Sequence, residues 1–394
     1  MSRLDRWLLP DGVEEFLPQQ AESLEKIRRA VLDVFHRWGY ELVVPPLIEY
    51  IESLLVGTGN DLDLQTFKLT DQISGRLMGI RADMTPQAAR IDAHCLNREQ
   101  PVRLCYMGEV LRTQACGFIR TRSPLQVGAE LYGHGGIESD VEVLHLMVAA
   151  LGAVGLREVH IDIGHVGIFR ALARSAKLTE EQEQSLFAAL QRKAKPEIEE
   201  QLAQYSIDKP VSLLLKALAD LNGGEEVLIE ARSMFKSATA DVRAALDNLE
   251  RIAAIARQRI PHVPLHFDLA ELRGYRYQTG VVFAALVPGH GEEIARGGRY
   301  DDIGRAFGRA RPATGFSTDL KTLIALSDTV TQIANAVMAP GITDQALFDA
   351  VQTLRDRGER VIYELPGQKG GAREMGCNRV LVQRGGEWVT ENIK

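Results

Sequence analysis

Two stretches of alternating character, VRLCYMGEVLR from Val102 and PLQVGAELYG from Pro124, flank a loop that carries Arg120 and Arg122. Alternation with a period of two sends successive side chains to opposite faces of a strand, so the pair predicts an antiparallel hairpin. In its second strand Gln126, Gly128 and Glu130 share one face, while Val127, Ala129 and Leu131 share the other. The first face is polar, and small spacers leave room beside it. Burying a carboxylate there is costly without a cationic partner, which makes a ligand ammonium or Arg273 the expected neighbour of Glu130. The loop arginines suit a phosphate and a solvated hairpin tip equally well.

Helices and strands alternate around this hairpin. In QQAESLEKIRRAVLDVFHRWG, Leu24, Ile27, Val31, Phe35 and Trp38 recur at helical spacing, with Gly39 as the stop. YELVVPPLIEY reads as extended, and RLMGIRAD as a strand leading into TPQAARIDAHCL, where Thr85 is the expected N-cap and Pro86 the first helical residue. Ser139 and Glu142 form a capping-box pattern at the head of SDVEVLHLMVAALG. From Gly167 to Arg259 alanine, leucine, glutamine and glutamate dominate, which predicts a helical insertion. Strand character returns in VPLHFDLAELRGYRY, GVVFAALV and EEIARGGRY, and TDLKTLIAL reads as a closing helix. After Thr331, helical DQALFDAVQTLRDRG and strand-like RVIYEL, RVLVQR and EWVT make a small α/β appendage. The expected class is α+β, with residues 1–166 and 261–328 as two parts of one core, 167–260 as the insertion and 329–394 as a C-terminal domain.

A chain of 394 residues exceeds what one core organises. Its 45% hydrophobic and 25% charged residues are ordinary for a soluble protein, and the longest apolar candidate, HLMVAALGAVGL, is too short to span a bilayer. The N-terminus lacks the continuous apolar stretch of a secretion signal, and a cytoplasmic protein is expected. Cys95, Cys105, Cys116 and Cys377 are too far apart for CxxC spacing and read as buried thiols. Pro264 favours an extended HVPLH, on which His262 and His266 do not share a helical face as zinc ligands would. PGQKGGAREMG lacks phosphate-loop spacing, and a net charge of −7 supplies no overall attraction to nucleic acid.

Four segments, IRADMTP, VLRTQ with PLQVGAE, ELRGYRYQTGVVF, and GGRYDDI with PATGFSTDL, follow one another in an order and spacing that resemble the catalytic domain of class II histidyl-tRNA synthetases across most of residues 1–325. The resemblance implies a six- or seven-stranded antiparallel sheet flanked by helices, with a histidine pocket beside an ATP pocket. It assigns a histidine-like pocket to Asp83, Thr85, Arg112, Gln126, Glu130, Arg273, Tyr277 and Tyr300. Asp83 stands where the synthetases carry glutamate, Gln278 where they carry a second tyrosine, and Arg276 where they carry aspartate. In the nucleotide half Arg112 remains, but Gln114 replaces an acid and Thr322 replaces the arginine that grips ATP, with Lys321 beside it. A threonine hydroxyl has neither the charge nor the planar donor fork of arginine, so adenylation is expected to fail. No catalytic residue, cofactor or metal is assigned.

A synthetase-like body without synthetase chemistry resembles the regulatory subunits of ATP phosphoribosyltransferase, which partner a short-form catalytic subunit in the first step of histidine biosynthesis. That resemblance implies a non-catalytic chain that self-associates within a mixed hetero-octamer, with L-histidine as an effector and neither tRNA nor membrane as a partner. The alternatives are a histidyl-tRNA synthetase, which would need the missing arginine and a complete anticodon-binding domain, or another aminoacyl-transferring paralogue.

Overall fold

The structure, a computed structural model, describes residues 7–56, 60–115, 121–272, 274, 277–327 and 336–393. The chain divides into two compact units, residues 1–15 with 26–328 and residues 16–25 with 329–394.

The first unit contains strands β1 (Glu41–Val43), β2 (Ile48–Tyr50), β3 (Phe67–Thr70), β4 (Leu77–Ile80), β5 (Val102–Glu109), β6 (Leu125–Tyr132), β7 (His160–His165), β8 (Asn222–Gly223), β9 (Leu265–Asp268), β10 (Val281–Leu286), β11 (Ala295–Arg299) and β12 (Ala313–Asp319). The large sheet runs in the order β1-β5-β6-β12-β11-β10-β7-β9-β8, and β2-β4-β3 form a small antiparallel sheet. From β5 to β7 every pairing is antiparallel, as the alternating sequence implies. Beyond them β1 joins β5 and β9 joins β7 in parallel. Parallel pairing needs a long crossover, and for β7 to β9 the helical run between Val166 and Arg259 supplies it.

One face of this sheet is covered by the helix Ile137–Ala153, which buries Val141, Leu144, Met147 and Leu151. Phe35, from the part of helix Pro18–Arg37 in the first unit, meets Phe316 of β12 edge to face with ring centroids 5.9 Å apart. The capping box expected at Ser139 is not formed. The helix starts three residues earlier, with Gly136 at the N-cap, and the Ser139 hydroxyl donates back to the Gly136 carbonyl at 2.7 Å. Glu142 is taken instead by Arg103 of β5, at 2.6 Å from Nε, and by the Tyr40 hydroxyl. A charged hydrogen bond across elements outweighs a local cap.

Thr85 is likewise not an N-cap but the first residue of the helix Thr85–Arg90. Its N–H is held by the Asp83 carboxylate at 2.9 Å, which leaves the threonine hydroxyl for Tyr106 at 3.0 Å. The short acidic side chain two residues back satisfies the orphan donor in its place.

In the second unit β13 (Ala336–Ala339), β14 (Arg360–Tyr363), β15 (Cys377–Arg384) and β16 (Glu387–Asn392) form a sheet of order β14-β13-β15-β16. Helix Gln345–Asp356 covers one face, packing Leu347 and Val351 on Val337, Ala339, Val361 and Leu381. Sequence reading missed β13. All four of its residues are buried, so it has no alternation to detect. Among the described residues no helix is long and apolar enough to cross a membrane.

Candidate functional site

The opposite face of the large sheet carries the candidate site, and sheet register sets its pattern. Ala284, Arg296, Ser317, Gly128 and Tyr106 form one row across β10, β11, β12, β6 and β5, and Val282, Gly298, Gly315 and Glu130 form the next. Glycine is required in both rows. A Cβ on Gly315 would lie 1.5 Å from Glu130 Oε2, and one on Gly128 would lie 2.5 Å from the Tyr106 hydroxyl oxygen. The glutamate and the tyrosine therefore lie over the backbone of neighbouring strands. The room that the sequence offered beside Glu130 is filled by Tyr106.

Glu130 is 1% exposed. Among the described residues its partners are two phenols: the Tyr106 hydroxyl donates to Oε1 at 2.8 Å, and the Tyr300 hydroxyl donates to Oε2. Burial pushes this carboxyl up to about 8; the two phenols pull it down by less, and Asp83 adds to the rise. Asp83 accepts from the Gln126 amide at 2.8 Å as well as from Thr85, while Gln126 Oε1 accepts from the Met84 N–H at 2.8 Å. Gln126 thus fastens the strand-to-helix turn onto β6. Arg81 braces the same turn from below, donating to the carbonyls of Glu109 and Pro45 at 2.8 Å each.

Above these groups is a cavity of about 270 Å³ whose walls include Asp83, Thr85, Arg112, Glu130, Tyr277 and Tyr300, six of the eight residues assigned from the sequence. Gln126 lines a second cavity instead, of about 180 Å³, with Glu292, Glu293, Asp319 and Thr322. Arg273 and Arg276 lie outside the described residues, as does Arg120. Arg122 serves the hairpin itself, its guanidinium donating to the carbonyls of Arg112 and Asp11. In the second cavity the Thr322 hydroxyl donates to Asp319 at 3.1 Å, and Asp319 also accepts from the N–H groups of Leu125 and Lys321. Burial raises the Asp319 carboxyl above the usual carboxylate range. Gln114 is exposed. His266 pairs with Asp162 of the adjacent strand, in keeping with an extended HVPLH.

A model of the histidyl-tRNA synthetase family matches residues 12–323, and one described as the ATP phosphoribosyltransferase subunit HisZ C-terminal domain matches residues 334–391. The ATP phosphoribosyltransferase regulatory subunit of Alkalilimnicola ehrlichii is 57% identical over 395 residues, covering 100% of this chain and 98% of that one. The chain belongs to the ATP phosphoribosyltransferase regulatory subunit family. The regulatory subunit of Thioalkalivibrio sulfidiphilus is 59% identical over 384 residues, at 97% coverage of both chains. A crystal structure from Bacillus halodurans, described as an ATP phosphoribosyltransferase regulatory subunit/histidyl-tRNA synthetase, superposes with a TM-score of 0.83 at 29% identity, covering 95% of this chain and 97% of that one. Histidyl-tRNA synthetase from Nostoc, at 19% identity, shares the fold with a TM-score of 0.79, covering 98% of this chain and 97% of that one.

Sequence reasoning missed several residues of this regulatory subunit's cavity. Tyr106, Glu271, Arg296 and Ser317 sit at or beside it. Tyr106 had a usable signal: a glycine opposite an aromatic residue in a paired strand, readable once the register is known. Glu271 itself lies outside the strands and helices, so no periodicity assigns its face.

The raised Glu130 carboxyl has a measurable sign. An unfolded glutamate ionises near about 4.3, whereas the folded one holds its proton to about 8. Above the unfolded value the folded chain binds more protons than the unfolded one, so this group's contribution to stability declines as pH rises to about 8 and is flat beyond. Glu130→Gln removes the titration and keeps the shape. Urea unfolding is expected to show the variant gaining on the parent between pH 5 and pH 8.5, and a pH-independent difference would contradict the assignment.

Proposed function

We propose that this chain is the non-catalytic partner of a short-form ATP phosphoribosyltransferase catalytic subunit in the cytoplasm, where that enzyme finds its ATP. In this reading it joins copies of itself and of the catalytic chain in a hetero-octamer, and its 270 Å³ cavity receives free L-histidine as a feedback effector. The contrast between the two cavities carries the proposal. The first keeps a buried carboxyl framed by two phenols and an Asp83–Thr85 turn. The second sets three carboxylates, Glu292, Glu293 and Asp319, around the place where the synthetase resemblance expects an arginine on ATP, and there Thr322 gives its hydroxyl to Asp319. Adenylation concentrates negative charge in its transition state and needs preorganised positive charge around it. Arg112 and Arg296 line this cavity too, but at position 322 a threonine bound to an acid stands where that reading expects a guanidinium.

The amino-acid side supports binding without chemistry. Glu130 holds its proton at neutral pH, and a cationic imidazole or ammonium beside it favours the ionised form. Binding of a cation therefore releases a proton. Histidine then inhibits by binding the less active assembly more tightly than the active one, and linkage makes that coupling reciprocal. No tRNA has a part in this reading.

The test of lost aminoacylation is histidine-dependent exchange between ATP and pyrophosphate on the purified chain. Exchange is expected to stay at background with histidine at saturating concentration. Exchange above background would restore the synthetase alternative.

A further inference from the structure

Arg112 and Arg296 line both the 270 Å³ and the 180 Å³ cavities, as does Ser317. Two guanidinium groups and a hydroxyl are donors of the kind that phosphate recognition uses, so a threonine at position 322 does not by itself make the second cavity indifferent to anions. What stands against those donors is the chain's own acid. Glu292, Glu293 and Asp319 share the second wall with them, and Arg112, Glu292, Glu293 and Arg296 all have partners within the chain. Their charges are engaged before any ligand arrives.

The acids differ in what they do. Asp319 serves the backbone: it accepts from the N–H groups of Leu125 and Lys321 and from the Thr322 hydroxyl, and so holds the turn from β12 into the helix Leu320–Leu326. Glu293 is placed against a guanidinium. It lies just ahead of β11, and its carboxylate approaches Nη1 of Arg296 at 3.5 Å. Arg296 in turn stands opposite Ser317 of β12, on the sheet face that carries Glu130. A phosphate coming to that guanidinium meets a carboxylate already beside it. With the two side chains 53% and 23% exposed, the contact contributes little to stability. Repulsion of an anion needs no tight pairing, however, and one carboxylate within about 8 Å of a phosphate in surroundings of intermediate dielectric lowers its affinity about tenfold or more.

We infer that Glu293 is a specificity-determining residue of the second cavity: as a built-in counter-ion of Arg296 it excludes polyphosphates such as ATP, and without its charge the junction takes them. The inference rests on the reading of this chain as the non-catalytic partner of an enzyme that consumes ATP. It adds what that reading lacks, a device that keeps the partner's substrate off a wall shared with the amino-acid cavity. The exclusion is one of charge and not of shape, so a single isosteric substitution reverses it.

Calorimetry on the full-length chain with ATP and with inorganic triphosphate tests it, alongside exchange between ATP and pyrophosphate. The parent is expected to bind both anions weakly, and Glu293→Gln to bind each at least about tenfold more tightly while exchange stays at background, because binding needs fewer aligned groups than the transition state does. Adding Arg296→Gln to Glu293→Gln should abolish the gain. Glu180→Gln, which removes an exposed carboxylate from the insertion helix Glu180–Gln191, should produce none. Glu293 lies outside the strands and helices, so its variants are expected to fold as the parent does, and Glu293→Ala provides a second neutral replacement. Equal affinity of the parent and both neutral variants for triphosphate would overturn the inference, as would a gain that survives Arg296→Gln or one that Glu180→Gln matches. Those outcomes leave the non-catalytic reading standing. Exchange above background in the parent would remove that reading, and the inference with it, since the parent would then be handling ATP.

Discussion

Asp140→Ala is expected to cost about 3–5 kcal/mol of stability, because it strips one partner from a buried ion pair. Asp140 lies at the start of helix Ile137–Ala153 and receives Arg299 Nε of β11 at 3.0 and 3.1 Å on its two oxygens. The side chains are 2% and 8% exposed. Arg299 also donates to Asp301, to the Ser139 hydroxyl and to the carbonyls of His134 and Gly136. Every donor of the fork is committed, and deleting the Asp140 carboxylate leaves the buried guanidinium with the part-exposed Asp301 as its remaining charged partner and otherwise neutral acceptors. The effect reaches the cavity through strand alternation. Arg299 points to the helix side, and the next residue, Tyr300, points to Glu130. Urea unfolding of Asp140→Ala should show the loss, and replacing both partners, Asp140→Leu with Arg299→Met, should recover most of it, since a matched apolar pair removes the orphaned charge. A loss below about 1 kcal/mol in the single variant would mean that the pair is not the clamp described.

How far the sequence revealed this architecture depends on the kind of signal each part carries. The β5–β6 hairpin was legible because alternation is a local property, and so was the helix ending before Gly39, whose φ of +80° is the left-handed conformation glycine favours. The capping roles of Thr85 and Ser139 were misread for a common reason. In each case a distant partner decided what the side chain does: Tyr106 takes the Thr85 hydroxyl, and Arg103 takes the glutamate that a Ser139 box would need. Glu130 could be placed on a polar face, but not its two phenol partners, since Tyr106 and Tyr300 reach it from different strands across a register no short window contains. The loss of the ATP arginine at Thr322 was visible as a substitution. That the hydroxyl is bound to Asp319, and that two further glutamates stand nearby, required the fold.

This member of the regulatory subunit family is expected to raise the activity of a separate catalytic chain while contributing no reacting side chain. A partner of that kind works by contacting the active arrangement better than the inactive one, and it shifts the equilibrium only by that difference in contact free energy. A tenfold activation requires about 1.4 kcal/mol of such preference, which a modest interface supplies. The direct measurement is a titration of a short-form ATP phosphoribosyltransferase catalytic subunit with the purified chain, following turnover and sedimentation together. Turnover is expected to rise at least about tenfold and to saturate at a fixed ratio of the two chains, as both move into one faster-sedimenting species. Turnover and sedimentation that stay unchanged through excess added chain would contradict the account.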